Sequence, residues 1–481
     1  MPGLRPLSAC RVLACCVAAG VVLAPAARAQ EAPASVPAAD GAAAPGFLSG
    51  LSQSSYLLGD AWGLRPLLGQ YGVTFGLQEI SEVLGNVTGG QRRGFDYDGL
   101  TEMSVGLDTQ RAFGWYGGTF NVSALQIHGR DLSADNLLTL QTASGIEAER
   151  STRLWEMWYQ QRFLDDRLDV KVGQQSVDQE FMVSQNSSMF VNTMMGWPMV
   201  PSADMPGGGP AYPLSALGVR LRAHLADQWT LLSGIFSGSP GDKTYGDAQR
   251  ENPSGTLFPL NVGTLVIAEI QYAFPSQGTM LIPGQPEALA RTYKFGFWYD
   301  NEAFPDLADD TNGVSLASPA SNGIARMHRG NWAVYAVADQ MIWQDAAEPD
   351  HNLNAFIRPM GTPLADRNLV TFSVDAGLTL HEPFPHRDDD SFGIGMGYAH
   401  VSGQATALDM ATTLYTGAYT PLRGGETFAE ATYQYEVTPW WQLQPDLQYV
   451  FNPGAGIANP TAPTTRVKNE TVLGMRTTIT F

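Results

Sequence analysis

From Val73 to Phe481 the chain alternates polar and apolar residues with a period of two. The clearest case is 369–380. There Val370, Phe372, Val374, Ala376, Leu378 and Leu380 mark one face, and Thr371, Ser373, Asp375, Gly377 and Thr379 the other. In 291–300, Tyr293, Phe295, Phe297 and Tyr299 oppose Lys294, Trp298 and Asp300. In 427–437, Ala429, Ala431, Tyr433, Tyr435 and Val437 oppose Glu430, Thr432, Gln434 and Glu436. Any half-buried antiparallel sheet alternates in this way. Three features favour a membrane barrel over a soluble sheet. Several strands run ten or more residues, whereas soluble strands average about 5–6 and a tilted membrane strand needs about 9–11. Aromatic residues sit at strand ends, as in Trp440-Trp441, Phe451, Tyr398 and Phe481. Interfacial girdles place them there. The polar faces carry Arg, Glu, Asp and Gln mid-strand, which a water-filled lumen permits and a dry core does not.

The pattern predicts strands near 73–83, 100–113, 117–129, 152–163, 168–176, 214–226, 229–238, 263–274, 291–300, 330–343, 353–360, 368–381, 391–402, 425–437, 440–452 and 469–481. The fold class is therefore all-β, a sixteen-stranded antiparallel transmembrane β-barrel over 73–481. An even number is what bacterial single-chain barrels have. With a periplasmic N-terminus, alternate connections are long external loops at 84–99, 130–151, 177–213, 239–262, 301–329, 403–424 and 453–468. Only 361–367 is a short external one. The other connections are tight turns, such as Leu164-Asp165-Asp166-Arg167, Asp227-Gln228 and Thr438-Pro439, although 275–290 is long. Strand 353–360 is partly demanded by this parity.

Ahead of the barrel, residues 47–72 read as a short helical or irregular segment. Leu57, Leu58, Trp62, Leu64, Leu67 and Leu68 recur at roughly helical spacing, and Pro66 argues against one long helix. Residues 30–46 are an Ala/Pro-rich flexible lead-in. Residues 1–29 read as a secretory signal peptide: Arg5 and Arg11, an apolar stretch from Val12 to Leu23, then Ala27-Arg28-Ala29 as the cleavage pattern. A lipoprotein signal is the alternative, but the cysteines precede or interrupt the apolar core.

Composition then narrows the function. Removing 29 of the 481 residues leaves 452, without Cys10, Cys15 or Cys16. That excludes a disulfide framework, a thiolate nucleophile and a Cys-based zinc site in the mature chain. With Arg5, Arg11 and Arg28 gone, 25 bases face 47 acids, a formal charge of −22. Such an acidic surface disfavours nucleic acid. Mean hydropathy is −0.12, and no Gly-free apolar run beyond the N-terminus exceeds Trp332–Ala338, so several membrane helices are excluded. The seven His are scattered without metal-binding spacing, and there is no P-loop or Gly-x-Ser-x-Gly elbow. No metal and no cofactor are expected. Asp388-Asp389-Asp390 reads as a solvated acidic turn, and Ca²⁺ between the acidic surface and anionic headgroups is a further option. Gly393, Gly395 and Gly397 alternate with Ile394 and Met396, so they read as small lumen residues. At the C-terminus, Leu473, Met475 and Ile479 share the face of Phe481, with Thr477 as the polar exception. A terminal aromatic closing an amphipathic strand looks like the signal read by the barrel-assembly machinery.

The order of several short segments resembles the carbohydrate-selective porins of the OprB family, over nearly the whole mature chain. The segments are Gly59-Asp60 with Gly63-Leu64-Arg65-Pro66, Gly72-Val73-Thr74-Phe75, Asn86 with Gly89-Gly90, and Gly114-Trp115-Tyr116-Gly117-Gly118-Thr119-Phe120. His128-Gly129-Arg130-Asp131-Leu132-Ser133, Tyr335 with Asp339-Gln340, and Gln444-Pro445-Asp446-Leu447-Gln448-Tyr449-Val450 follow. The resemblance implies an outer-membrane barrel, surrounded by outer-membrane lipid, that passes sugars, especially monosaccharides such as glucose, by diffusion and holds no cofactor. The Met/Gly/Pro-rich stretch Met194–Pro213 departs from that pattern.

A neutral sugar offers hydroxyls to Arg and carboxylates and an apolar face to an aromatic ring. Alternation nominates pore-lining candidates that pair up on shared strand faces: Arg220 with Arg222, Glu156 with Trp158, Glu269 with Gln271, and Glu430 with Gln434. Their plainer role is that of solvated charges supporting barrel shape. Loop 177–213 holds the constriction candidates Asp178, Glu180, Trp197 and Asp204. A Gly/Pro loop of this length either covers the mouth or folds inward, and inward folding is the expectation. Besides a passive sugar porin, the sequence leaves a general or other-solute porin, an outer-membrane barrel enzyme needing a Ser/His pair near the lipid face, and a soluble sugar-binding β protein.

Overall fold

The computed structural model describes residues 54–242, 246–275 and 289–481. The proposed signal peptide and lead-in, 1–46, and most of the 275–290 connection lie outside the described residues. Sixteen strands close into one barrel in which each pairs antiparallel with its sequence neighbour. They are β1 (Val73–Thr88), β2 (Gly94–Asp108), β3 (Gly118–Gly129), β4 (Ser151–Phe163), β5 (Leu168–Gln175), β6 (Ala216–Ala226), β7 (Trp229–Ser237) and β8 (Thr264–Phe274). The second half runs β9 (Arg291–Asp310), β10 (Ala325–Gln344), β11 (Asn352–Gly361), β12 (Val370–His381), β13 (Ser391–Val401), β14 (Gly425–Thr438), β15 (Trp441–Phe451) and β16 (Glu470–Thr480). The seam joins β1 to β16, with Gln78 opposite Thr480 and Glu82 opposite Arg476. Closure removes every free sheet edge, which the hydrocarbon could not hydrogen-bond. No helix of the described residues is long and apolar enough to cross a membrane.

The alternation acquires its physical meaning here. Tyr293, Phe295, Phe297 and Tyr299 are exposed on the outside of β9, while Lys294, Trp298 and Asp300 are buried inside. Exposed Phe113, Trp115, Tyr116, Trp229 and Trp343 ring one end of the wall, and Phe95, Tyr449 and Phe451 the other. Thr477 keeps its place on the apolar outer face because the Trp441 indole donates to its Oγ1 at 2.9 Å. Helix α1 (Leu64–Gln70) precedes β1. The segment 54–72 crosses the seam: Leu57 N donates to Thr480 O at 2.8 Å, and the Arg65 guanidinium donates to Phe75 O at 2.7 Å and to Phe481 O.

Several boundaries differ from the sequence reading. Strands β1 and β2 run on to Thr88 and from Gly94, so 84–99 is a tight hairpin and not a long loop. Residues 109–113 leave the sheet as a helical turn, capped by the Asp108 carboxylate accepting from Gln110 N and Arg111 N. Strands β9 and β10 extend outward to Asp310 and from Ala325, shrinking the loop placed at 301–329. These extensions carry polar residues on both faces, so hydrophobic alternation could not mark them. Within 403–424 a helix forms, α2 (Gly403–Thr416), started by Ser402 Oγ accepting from Ala405 N. Val370, grouped with Phe372 and Val374 on the apolar face, is fully buried inside. A register shift between Val370 and Phe372 turns it inward.

Candidate functional site

The connection between β5 and β6, residues 176–215, folds into the barrel. It contains only short helical turns, at Thr193–Gly196 and Met199–Asp204 among others. Its backbone groups are therefore largely unpaired by regular structure, and inside a protein each needs a partner. Lumen side chains provide many of them: wall carboxylates accept from loop N–H groups, Lys294 and Arg358 donate to loop carbonyls, and Lys171, Arg220 and Arg222 pair with the loop's own Glu180.

Each sequence-nominated residue has a place in this scheme. Glu156 Oε1 accepts from Ser176 N at 2.9 Å and its Oε2 from the Trp158 indole at 3.1 Å. Glu269 accepts from Met182 N at 2.9 Å and from Gln271 Nε2 at 2.6 Å. Glu430 accepts from Val191 N at 2.6 Å and Asn192 N at 3.3 Å, and Gln434 Nε2 reaches Met189 O at 3.4 Å. Arg220 and Arg222 grip Glu180 of the loop. Arg222 donates to Glu180 Oε2 at 2.7 Å and Arg220 Nη2 to Oε1 at 3.1 Å. Lys171 pairs with the same carboxylate, and Arg220 also pairs with Asp169. The Arg220 Nε lies 2.7 Å from Glu180 Oε2, a charge contact without hydrogen-bond alignment. Lys171 Nζ also sits 4.5 Å over the Trp158 ring. Asp178 ties the two loop ends together, accepting from Ser176 Oγ at 2.5 Å and Tyr212 N at 2.9 Å. The Trp197 indole donates to Gly208 O at 2.8 Å, and Asp204 accepts from Val370 N at 3.3 Å.

These wall residues face inward as alternation requires, but the interior beside them is occupied by protein. Arg220 and Glu269 are 1% exposed and Glu430 is 3% exposed. The assignment of Arg220, Glu156, Glu269 and Glu430 to a solvated lumen surface is thus corrected: they are buried under the loop. The pore-lining candidates left out the companions that complete the seat, Lys171, Lys294, Asp339, Arg358 and Asp375, although alternation places Lys294 and Asp375 on polar strand faces. All five lie on inward positions of their strands, so alternation could have found them. Nothing local distinguishes them from other lumen residues.

Methionines and aromatics of the loop fill the space between these tethers. Phe181, Met182, Phe190, Met194, Met195 and Trp197 pack on inward-facing Phe236, Ile267, Trp298, Tyr335, Phe356 and Phe428. The glycine track of β13 is the floor. A Cβ at Gly393 would lie 2.8 Å from Met189 Sδ, and one at Gly395 would lie 2.7 Å from Met195 Cε. Larger residues there would lift the loop.

The loop environment perturbs its own carboxyls. Burial raises Glu180, but Lys171 and Arg222 outweigh it and hold the group below the ordinary carboxylate range. Burial raises Asp204 well above that range, against backbone N–H contacts from Val370 and Leu369. Burial also raises Glu147 well above it, aided by nearby Asp131.

On the other side of the loop a cavity of about 680 Å³ remains, between the loop and the wall of β1, β4 and β16. Ile80, Trp155 and Arg476 line it from the wall. Gln185, Ser188, Thr193 and Trp197 line it from the loop, and Glu147 from the neighbouring connection. Arg476 is held from behind by Glu82, which is 1% exposed. The arrangement combines hydroxyl, amide, aromatic and one guanidinium group around a space left open inside a closed barrel.

The sequence from 92 to 481 matches the family described as carbohydrate-selective porin, OprB family. The chain belongs to that family. It is similar to Porin B of Pseudomonas aeruginosa, with 24% identity over 424 residues, covering 83% of this chain and 87% of that protein. Its fold is similar to the high-pH structure of Pseudomonas putida OprB, at a TM-score of 0.77 and 23% identity, covering 89% of this chain and 99% of the other. The low-pH structure of P. putida OprB gives a TM-score of 0.54 at 17% identity over the same shares. As a member of the OprB family with a closed β-barrel, the chain is a bacterial outer-membrane porin.

Proposed function

We propose that this OprB-family barrel passes monosaccharides such as glucose by passive diffusion, along the cavity between the inserted loop and the β1/β4/β16 wall. The observation that carries the reading is that cavity. Its lining offers hydrogen-bonding groups at Gln185, Ser188, Thr193 and Arg476 and ring faces at Trp155 and Trp197. A guanidinium satisfies paired hydroxyls, and an indole covers the apolar face of a sugar. Weak, repeated contacts favour conduction over retention. The buried lumen residues nominated from sequence, Arg220, Arg222, Glu156, Trp158, Glu269, Gln271, Glu430 and Gln434, act on the passage by holding the loop that shapes it. Surrounding lipid and the assembly machinery, recognising the strand that ends at Phe481, are its other partners in this reading.

Catalysis is not part of it. On the outer wall Ser81 and His128 come near each other beside Glu79, but Tyr97 stands between them. Its hydroxyl is 3.0 Å from Ser81 Oγ and 3.1 Å from His128 Nε2. Glu79 approaches that same ring nitrogen at 3.6 Å. A serine nucleophile needs direct contact with its base and an orienting acid on the opposite nitrogen. Liposome swelling tests the proposal. Glucose is expected to enter faster than disaccharides of the same concentration, and equal rates for both would refute sugar selectivity.

A further inference from the structure

One side chain holds the loop differently from all the others. Arg358 is on β11 and is fully buried. Its guanidinium donates to four loop carbonyls: Met182 O at 2.9 Å, Met194 O at 2.5 Å, Met195 O at 3.0 Å and Gly196 O at 3.0 Å. Behind it, Asp375 of β12 accepts at 3.2 Å and supplies the counter-charge. The two strands meet in register at this pair. Met182 lies at the start of the inserted segment and Gly196 well along it, so one planar group gathers two stretches of loop that are distant in sequence. Two neighbours reinforce the first stretch. Lys294 donates to Val183 O at 2.7 Å, and Asp339 accepts from Ser184 Oγ at 2.6 Å. Past the Arg358 contacts the loop turns its other surface, Gln185, Ser188, Thr193 and Trp197, to the open cavity.

We infer that Arg358, charge-balanced by Asp375, is the positioning residue that sets the aperture. It touches no permeating solute. It acts by drawing residues 182–196 against the β11–β12 wall, and the width of the cavity on the far side is what remains. The physical reason is the fork of donors: five N–H groups in fixed geometry can satisfy several carbonyls at once, which an ammonium cannot. Without it, the buried carbonyls of Met182 and Met194 lose this donor, Met195 O is left with Ser187 Oγ alone, and Asp375 becomes an uncompensated buried charge. The inserted segment then leaves the wall and samples the cavity. This inference rests on the reading of the cavity as the passage, and deepens it by naming what sets its width.

The test uses the full-length porin in planar bilayers. Arg358→Met keeps much of the side-chain volume and removes every donor. KCl conductance needs no assumption about sugar, so it reads the aperture alone. Arg358→Met is expected to change single-channel conductance by at least about twofold and to add current flicker, because a seated constriction is replaced by a mobile one. The same variant is expected to lose most of the monosaccharide-over-disaccharide ratio in liposome swelling. A barrel that still shifts on heating in SDS but keeps wild-type conductance and steady current overturns the inference. If Arg358→Met fails to reach the heat-shifted form, Arg358→Lys decides. It retains a cation opposite Asp375 but cannot span four carbonyls. A conductance changed from wild type, with flicker, supports the assignment, and wild-type conductance with steady current overturns it. A conductance change in Arg358→Met with no sugar discrimination in the wild type sinks the sugar reading and leaves the aperture assignment standing.

Discussion

Replacing Glu180 by Gln is the sharpest perturbation of the loop's entry, just before the Arg358 contacts. Its carboxylate is 9% exposed and receives Lys171, Arg220 and Arg222, whose side chains are 8%, 1% and 13% exposed. In Glu180→Gln the size is kept and the charge is lost. The three cations then keep only Asp169, which contacts Arg220, and Glu156, which acts on Lys171 through charge. Breaking a buried ion pair by removing one partner costs about 3–5 kcal/mol. At 1.4 kcal/mol per decade, that is a change of roughly two to four powers of ten in the equilibrium between seated and released loop. The strand ladder is untouched, so the barrel persists and the cost is confined to the loop. In planar bilayers the variant is expected to flicker between conductance levels. Its reversal potential in a KCl gradient is expected to shift toward anions, since a net positive cluster is uncovered beside the lumen. The heat-dependent mobility shift in SDS controls for folding. A folded Glu180→Gln barrel with wild-type reversal potential and steady current would show that the cluster does not hold the loop.

Four further outcomes follow from particular contacts. Arg476→Ala removes the one cation among the described residues lining the cavity and is expected to lower glucose flux several-fold in liposome swelling, with Arg476→Lys partly restoring it; unchanged flux would remove Arg476 from the sugar path. The two loop carboxyls predict opposite pH responses. Glu180 is depressed, so its contribution to seating is complete above the ordinary carboxylate pKa and is lost as pH falls through its lowered value. Asp204 is raised, so its contribution is complete at low pH and is lost as pH climbs from the ordinary range toward its raised value. Stepping pH across a single channel should show the quietest current between those limits, and Asp204→Asn should remove only the alkaline noise. Gly474→Ala would place a Cβ 2.0 Å from the backbone oxygen Val83 O, and overpacking of about 1–3 kcal/mol is expected to lower the SDS heat-shift midpoint; Gly403→Ala, which meets nothing within 4 Å, should not.

The barrel was legible because its constraint is local and repetitive. Each strand must show one face to hydrocarbon and the other inward, so the period of two appears in every segment. Fifteen of the sixteen strands were located this way, and 353–360 was placed partly because loop parity demanded a strand there. Errors fell where that constraint ends. The outward extensions of β9 and β10 and the helix α2 lie in external connections with no lipid to impose a pattern. Val370 was misplaced because one irregular pairing reverses the faces beyond it.

The candidate site was legible only as a list of inward-facing residues. Glu156, Arg220, Glu269 and Glu430 were recognised as lumen groups, yet alternation cannot say whether the lumen beside a residue holds water or protein. Glu180 was noted in the loop, but its three cationic partners come from β5 and β6 and meet it only after the loop folds back. The cavity group Arg476 passed unnoticed because its strand was read for its outer face and for Phe481.

By itself, then, the sequence determined the barrel, its strand number and the side of each strand that meets lipid, since those follow from a two-residue repeat imposed by a uniform solvent. Which half of the lumen is filled, where the open passage runs, and which guanidinium grips the loop were decided only by the tertiary structure. They depend on contacts between residues far apart in sequence, such as Arg358 with Met194 and Glu430 with Val191. No periodic pattern encodes such pairings, because the loop's own backbone is satisfied by whichever wall charges the closed barrel brings within reach.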